Sequence, residues 1–333
     1  MTTQQMVAAF ISRSGGPEVL ELRKIAKPKP ESSEVLVRVH ASALNRADLL
    51  QRRGHYPAPP GVPPDIPGLE FAGVIEETGM KAQLWNPGDS VMGLTGGGAQ
   101  AEYLVAHERT VIGIPSSLTW QEAAAIPEAF ITAHDALWIQ AGLRPSERVL
   151  IHAVGSGVGL AAVQLVRAMG AIPFGTSRTI DKLSRAKEFG LNSGFSVPGT
   201  PSAEDGRQWA VNGPFDVVFD LAGGSYPSAS LHAIASRGRI LLIGTMAGAR
   251  TDLDLGLMLG KRARMIGTVL RARALEEKIA VTQLFAQEVV PLFESKVLRA
   301  VIDSEFSLSE IRKAHERMES NQAFGKIVLR MSA

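Results

Sequence analysis

The segment Ala153-Val-Gly-Ser-Gly-Val-Gly159 has the spacing in this chain that most directly implies chemistry. Glycines at 155, 157 and 159 strip a turn of side chains and leave its backbone N–H groups open to an anion. A short apolar run precedes the turn at 149–153, and a helical pattern follows at 159–169. A strand that enters a glycine turn and opens a helix holds a pyrophosphate in βαβ units, with the helix N-terminus adding partial positive charge. The spacing is not G-x-G-x-x-G: counted back from Gly159, Val154 and Ser156 stand where the first two glycines belong. On the motif alone, an ordinary strand-to-helix turn would read the same way.

The next strand bears on which dinucleotide is bound. NAD-binding units place a carboxylate there, about 20 residues on, to hold the ribose 2′-hydroxyl. Here the strand ends Thr176-Ser-Arg178, with Lys182 one turn into the following helix. Hydroxyl, guanidinium and ammonium groups suit a 2′-phosphate, so NADPH is expected; solvated surface charges are the plain alternative. Small residues also close three later strands: Ala222-Gly-Gly224, Gly244-Thr245 and Thr268. Ligands of open parallel sheets lie at these carboxyl ends, and small side chains there leave room for a nicotinamide.

The elements that must position these groups follow from texture. Residues 1–115 are rich in Gly and Pro, and Val35-Leu-Val-Arg-Val-His40 alternates as a half-buried strand. Runs at 73–75 and 101–105 read as further short strands, and 41–50 as a helical turn. From about residue 118 the pattern changes. Thr119 and Glu122 form a capping box, and strands at 149–153, 171–176, 195–197, 215–221, 239–244 and 264–269 then alternate with helices. A final strand at 325–330 is expected to return to the first domain.

The chain has 333 residues, 45% apolar and 20% charged, with a formal net charge of +2 and no cysteine. That length fits two globular domains. Disulfides and thiolate metal sites are excluded. The charge is too small to call for a nucleic-acid or membrane partner. The opening Met-Thr-Thr-Gln-Gln-Met lacks the basic flank and apolar run of a signal peptide, and no run approaches the ~20 residues of a membrane span, so a cytoplasmic protein is expected.

Six segments together resemble the zeta-crystallin-like, zinc-free quinone oxidoreductases of the medium-chain dehydrogenase/reductase superfamily. They are Ser42-Ala-Leu-Asn-Arg-Ala-Asp-Leu49, Gly68-Leu-Glu-Phe-Ala-Gly73, Gly96-Gly-Gly-Ala-Gln-Ala101, Ala123-Ala-Ala-Ile-Pro-Glu-Ala129, and residues 155–159 and 321–329. The resemblance runs the full length. It implies an α/β protein: a GroES-like β domain over 1–124, completed by 272–333, beside a Rossmann doubly wound parallel-sheet domain over 125–271. It implies NADPH-dependent quinone reduction and a homodimer whose sixth Rossmann strands pair, which would also cover an apolar edge.

Carried over by residue, the resemblance puts Ser156, Gly157 and Val158 along the pyrophosphate. Ser177, Arg178 and Lys182 would surround the 2′-phosphate, and Thr132 would lie near the nicotinamide-side phosphate or ribose. Gly244, Thr245, Met246, Val269, Leu270 and Arg271 would line the nicotinamide end, with Asn321 and Lys326 approaching from the tail. Val197 replaces a tyrosine found near the adenine in the family. Zinc-using relatives place a cysteine where Asn45 stands and a histidine where Leu69 stands, so no metal is expected.

Quinones accept hydride readily, so orientation matters more than a strong acid, and no catalytic dyad is expected. Solvent or a nearby hydroxyl would supply the proton. Asn45 and Tyr56 are the substrate-pocket candidates, as amide donor and as ring or hydroxyl contact; a helix cap and a loop anchor are their structural alternatives. His152 reads as a satisfied core residue, and His134 as a weak cleft candidate. The basic run Lys261-Arg-Ala-Arg264, with Arg271 and Arg273, lacks the aromatic platforms of nucleic-acid binding. Two other readings stand beside quinone reduction: reduction of an enone or enal C=C bond, and an NADPH-sensing or RNA-binding protein.

Overall fold

The computed structural model describes residues 4–331. Met1, Thr2, Thr3, Ser332 and Ala333, which the N-terminal reading and the outer domain limits include, lie outside the described residues. The chain forms two compact units, residues 1–131 with 270–333, and residues 132–269. The sequence reading put these crossings at 124/125 and 271/272. The first falls later because the start of the helix Pro127–His134 is tied to the first unit, where the Glu128 N–H donates to Glu70 Oε2 at 2.8 Å.

The strands, in chain order, are β1 (Gln5–Ile11), β2 (Leu20–Ala26), β3 (Glu34–Ala43), β4 (Glu70–Thr78), β5 (Ser90–Leu94), β6 (Tyr103–His107) and β7 (Val111–Gly113), then β8 (Arg148–Ile151), β9 (Ile172–Ser177), β10 (Ser193–Ser196), β11 (Phe215–Asp220), β12 (Ile234–Leu242), β13 (Arg264–Gly267), β14 (Ile302–Ser307) and β15 (Lys326–Arg330).

The first unit is the GroES-like domain. Its main sheet runs β14-β15-β3-β4-β5-β7, with β6 on β3, and β1 pairs β2 separately. The alternation at 35–40 is carried on to Ala43, so residues 41–43 belong to a strand and the helix begins later, at Arg46–Arg52. Asn45 is the reason: it is the N-cap residue, and its N–H donates to Asp48 Oδ2 at 2.7 Å. The tail returns as expected: β15 pairs antiparallel with β3, setting Val328 opposite Ala43. Val35, Val37, Phe71, Val91, Ile327 and Leu329 meet in the core between these strands. Arg52 is fully buried there, donating to Gly15 O at 3.1 Å, bonded to His315 Nδ1 at 3.1 Å and paired with Glu319.

The second unit is the Rossmann domain. Its six strands run β10-β9-β8-β11-β12-β13, all parallel, which is the doubly wound order with its switch point beside the first strand. Strand β8 stops at Ile151 rather than 153, because Ala153 takes a left-handed φ of 53° and starts the turn. Arg239 and Glu147 form a bidentate pair at 2.8 and 2.7 Å that ties β12 to the approach of β8. No helix among the described residues is long and apolar enough to cross a membrane.

Candidate active site

In the second unit, the turn after β8 is built by close approach. A Cβ on Gly159 would lie 2.7 Å from Ala153 O and 2.8 Å from Val154 O, both backbone atoms, so only glycine lets the helix Gly157–Ala168 start this near the strand. Ser156 is its N-cap: Oγ accepts the Gly159 N–H at 3.1 Å and donates to Ala153 O at 2.8 Å. Gly157 and Val158 supply the first-turn N–H groups that the helix leaves unused. A Cβ on Gly155 would lie 2.8 Å from Lys182 Cδ, so the Lys182 stem crosses the turn. The turn and the basic tip of β9, separate in the sequence, are one structure.

At the end of β9, Ser177 is buried and its Oγ accepts the Thr179 N–H at 3.4 Å, while Arg178 is exposed. Beyond β12, Gly244 is half-buried and Thr245 and Met246 are exposed. Ala247 donates to Ala222 O at 2.7 Å and Gly224 to Gly248 O at 2.8 Å, so the loops after β11 and β12 are bonded together. Asp220, which the sequence reading did not single out, clasps the first of them by accepting the Ala222 and Gly223 N–H groups at 2.7 and 3.0 Å. Burial pushes its carboxyl up to about 6. Val269 is exposed past β13, and Thr132 is half-buried on its helix.

Two histidines of this unit, His152 and His134, are interior groups. His152 is fully buried, with Nδ1 2.9 Å from Thr176 Oγ1 and Nε2 2.8 Å from Ser230 Oγ, and desolvation depresses it to about 3. His134 is also fully buried, its ring against Trp138 at 5.2 Å. Val197 packs in the core with Phe174 and Trp209. The basic run is used locally: Lys261 Nζ donates to His232 O and Ile234 O at 3.1 and 2.7 Å, and Arg262 donates to Ser236 Oγ at 3.2 Å.

In the first unit, β3, β4 and β15 converge on a buried polar cluster. Lys326 Nζ donates to Asn45 Oδ1 at 2.6 Å and Leu44 O at 2.9 Å, and lies 2.5 Å from Glu70 Oε1. Asn45 Nδ2 donates to the same Glu70 oxygen at 2.9 Å and to Ala43 O at 3.3 Å. The Asn45 amide is therefore turned inward, onto Glu70 and Lys326. Asp48 is spoken for as well, with Oδ1 accepting the Gly68 N–H at 2.9 Å; its burial pushes it up to about 6. Asn321 stands apart, at φ 59°, with Oδ1 accepting from Arg46 at 2.6 Å.

Tyr56 and Arg271 are also brought together. The guanidinium lies 4.8 Å from the Tyr56 ring centroid and donates to Tyr56 O at 3.1 Å, Gly96 O at 2.7 Å and Gln51 Oε1 at 2.6 Å. Its donors are thus engaged in holding the Gly96 and Tyr56 loops. Beside it lies a cavity of about 40 Å³, lined by Leu270, Arg271, Thr95, Glu128, Lys278 and Thr282 among others. Burial, and then the neighbouring Glu70, push the Glu128 carboxyl up to about 8. Glu70 and Glu128 lay inside the quoted segments Gly68–Gly73 and Ala123–Ala129, but nothing local marked them as functional; only the pairing of β15 with β3 and β3 with β4 assembles their surroundings.

Two families match by model: the alcohol dehydrogenase GroES-like domain over residues 31–116 and zinc-binding dehydrogenase over residues 197–329. The chain is 32% identical to a quinone oxidoreductase of Lama guanicoe, covering 98% of each chain, and 31% identical to one of Homo sapiens, covering 97% of each. Among solved structures, a quinone oxidoreductase of Pseudomonas syringae pv. Tomato DC3000 aligns with a TM-score of 0.86 at 27% identity, covering 98% of this chain and 99% of that one. The CurK enoyl reductase aligns with the same score and identity, covering 99% and 100%.

Proposed function

The chain belongs to the quinone oxidoreductase family of the medium-chain dehydrogenase/reductase superfamily, and from that premise we propose that it reduces quinones with NADPH, without a metal, as a cytoplasmic homodimer. Nicotinamide cofactors serve this superfamily, and the bound cofactor supplies hydride. The residues fit such a group: the glycine turn is bare of side chains, and the helix N-terminus behind it favours a pyrophosphate. Ser156, Gly157 and Val158 would hold it there. Ser177, Arg178 and Lys182 would hold a 2′-phosphate, and the absence of a carboxylate at the tip of β9 favours NADPH over NADH. Thr132, Gly244, Thr245, Met246, Val269 and Leu270 are the contacts assigned to the nicotinamide half. Arg271, Asn321 and Lys326 would act by fixing loops and the buried cluster rather than by direct charge.

The observation that carries the metal-free reading is the Lys326 ammonium on Glu70. Leu69 offers no lone pair, Asn45 is bonded to Lys326 and Glu70, and a protein cation already balances the carboxylate. Zinc does not fit that donor set. A hydride acceptor that needs no Lewis acid, such as a quinone, fits better. Tyr56, half-buried with its phenol held protonated by burial, would stack on the ring or donate to an oxygen.

A second reading is supported by the likeness to an enoyl reductase, namely NADPH-dependent reduction of an enone or enal. A panel of ortho- and para-quinones and enones, followed by NADPH consumption, separates the two. Turnover of quinones is the expected result; turnover of enones with none of quinones would overturn it.

A further inference from the structure

Of the three carboxyl groups around Lys326, two have both oxygens engaged. Both Glu70 oxygens accept, Oε1 from Asn45 and Lys326 and Oε2 from the Glu128 N–H. Both Asp48 oxygens accept backbone N–H groups, from Asn45 and Gly68. Glu128 differs. Its backbone N–H is fixed by Glu70, while its side chain lines the cavity of about 40 Å³ and bonds to no group among the described residues. Lys278 and Arg271 line the same cavity, and two hydroxyls, Thr95 and Thr282, share it. Arg271 also holds the Tyr56 ring and carbonyl, which brings Tyr56 up to the wall of this cavity. At this size the cavity admits water or the oxygen-bearing edge of a ring, not a whole ring.

We propose that Glu128 is the catalytic acid that protonates the oxygen of the reduced acceptor, with Lys278 beside it to stabilise the oxyanion before transfer. This rests on the reductase reading above. The quinone takes up hydride, and with it both electrons, from the reduced nicotinamide and becomes a hydroquinone monoanion. The Glu128 O–H bond breaks, its proton forms the new O–H bond on that anion, and the carboxylate left behind recovers a proton from water. The groups facing Glu128 set its readiness. Glu70 on β4 and Asp48 on the helix Arg46–Arg52 oppose its ionisation, and Lys326 on β15 and Arg271 favour it. Lys278, on the helix Leu275–Glu288, lines the same cavity, and Tyr56 lies in the loop that Arg271 holds. Burial outweighs the cations, so the group carries its proton at neutral pH, unlike an ordinary glutamate. Tyr56, pushed upward from its ordinary value, is the weaker acid.

The test uses Glu128→Gln and Glu128→Asp in the full chain, with melting temperatures to confirm folding. Its first readout needs no cofactor. The carboxyl carbons of protein carrying isotope-labelled glutamate are followed by NMR against pH, and the wild type is expected to show one resonance titrating at about 8 that E128Q lacks. The second readout is kcat against pH. Wild type should lose rate above about pH 8, and E128Q should lose that limb together with about a hundredfold of kcat, the low end of what a positioned acid contributes. E128D, a shorter acid, should restore part of both. No glutamate resonance titrating at about 8 in the wild type, the same resonance in E128Q, or an unchanged high-pH limb overturns the proposal. Failure of the wild type to oxidise NADPH with any quinone or enone would instead sink the reductase reading, and the NMR titration would still report on Glu128.

Discussion

Lys182 shows how one side chain can serve two ends. Its stem crosses Gly155, and its ammonium is the group proposed above to hold the 2′-phosphate. Alanine would remove both contributions, so methionine is the sharper probe, since it keeps the stem. Lys182→Met is expected to raise KM for NADPH by roughly tenfold to a hundredfold, the worth of a charge-assisted hydrogen bond, and to leave NADH nearly unchanged. Equal effects on both cofactors, measured side by side, would remove the phosphate assignment. His152 makes a pH argument at the same scale. It is held near 3 in the fold against 6.5 ordinarily, so it stays neutral when folded. Its contribution is therefore complete above pH 6.5 and lost as pH falls from 6.5 towards 3, because the unfolded chain takes up a proton that the fold refuses. Asp48 and Asp220, raised from 3.8 to about 6, act in the opposite sense between those values. His152→Asn keeps hydrogen-bonding capacity without titrating. Urea midpoints at stepped pH should show wild type losing stability faster than H152N on acidification; parallel curves would contradict the burial argument.

At the scale of elements, the glycine turn is a rigid part rather than a loose loop. Gly159→Ala would drive a methyl against two carbonyl oxygens of the preceding turn, neither of which belongs to a flexible side chain. About 1–3 kcal/mol of destabilisation is expected, with NADPH affinity reduced tenfold or more as the helix start is pushed out. A thermal melt and a fluorescence titration measure the two; an unaltered affinity would mean that the turn does not meet the pyrophosphate. This turn was legible in the sequence because everything it needs lies within ten residues. Most strands of the parallel sheet were legible for the same reason, to within about two residues, but β12 begins at Ile234 rather than 239, β4 runs over Glu70–Thr78 rather than 73–75, and β1, β2, β5, β7 and β14 were not read. Strand β3 outran its apparent end since Ala41 and Ala43 have no side-chain period to declare, and the cap at Asn45, not hydropathy, decides where the helix begins. The Asn45–Glu70–Lys326 cluster was not legible as a unit. Its members are far apart in the chain, and only antiparallel pairing of β3 with both β4 and β15 brings them within bonding distance. Glu128 was hidden by its type, since a glutamate beside a proline at a helix start reads as a dipole partner.

At the scale of the whole molecule, β13 leaves one edge of the parallel sheet without a neighbour among the described residues. The nearby helix Leu255–Lys261 adds exposed leucines, Leu255 at 66% and Leu259 at 77%. An open apolar edge is what a homodimer would cover. Replacing both leucines with aspartate should convert a dimer to a monomer in light scattering while leaving the far-ultraviolet spectrum alone. A wild-type chain that scatters as a monomer at every concentration would dispose of the dimer.

The route of the tail has a consequence for how the protein is born. Strand β15 follows the whole second unit in the chain, yet it lies inside the first unit's sheet, between β14 and β3. Residues 132–269 emerge complete while β3 still shows a bare edge to solvent. The nascent chain must therefore carry an unfinished first unit past a finished second one, and the risk of aggregation persists until β15 has emerged and paired.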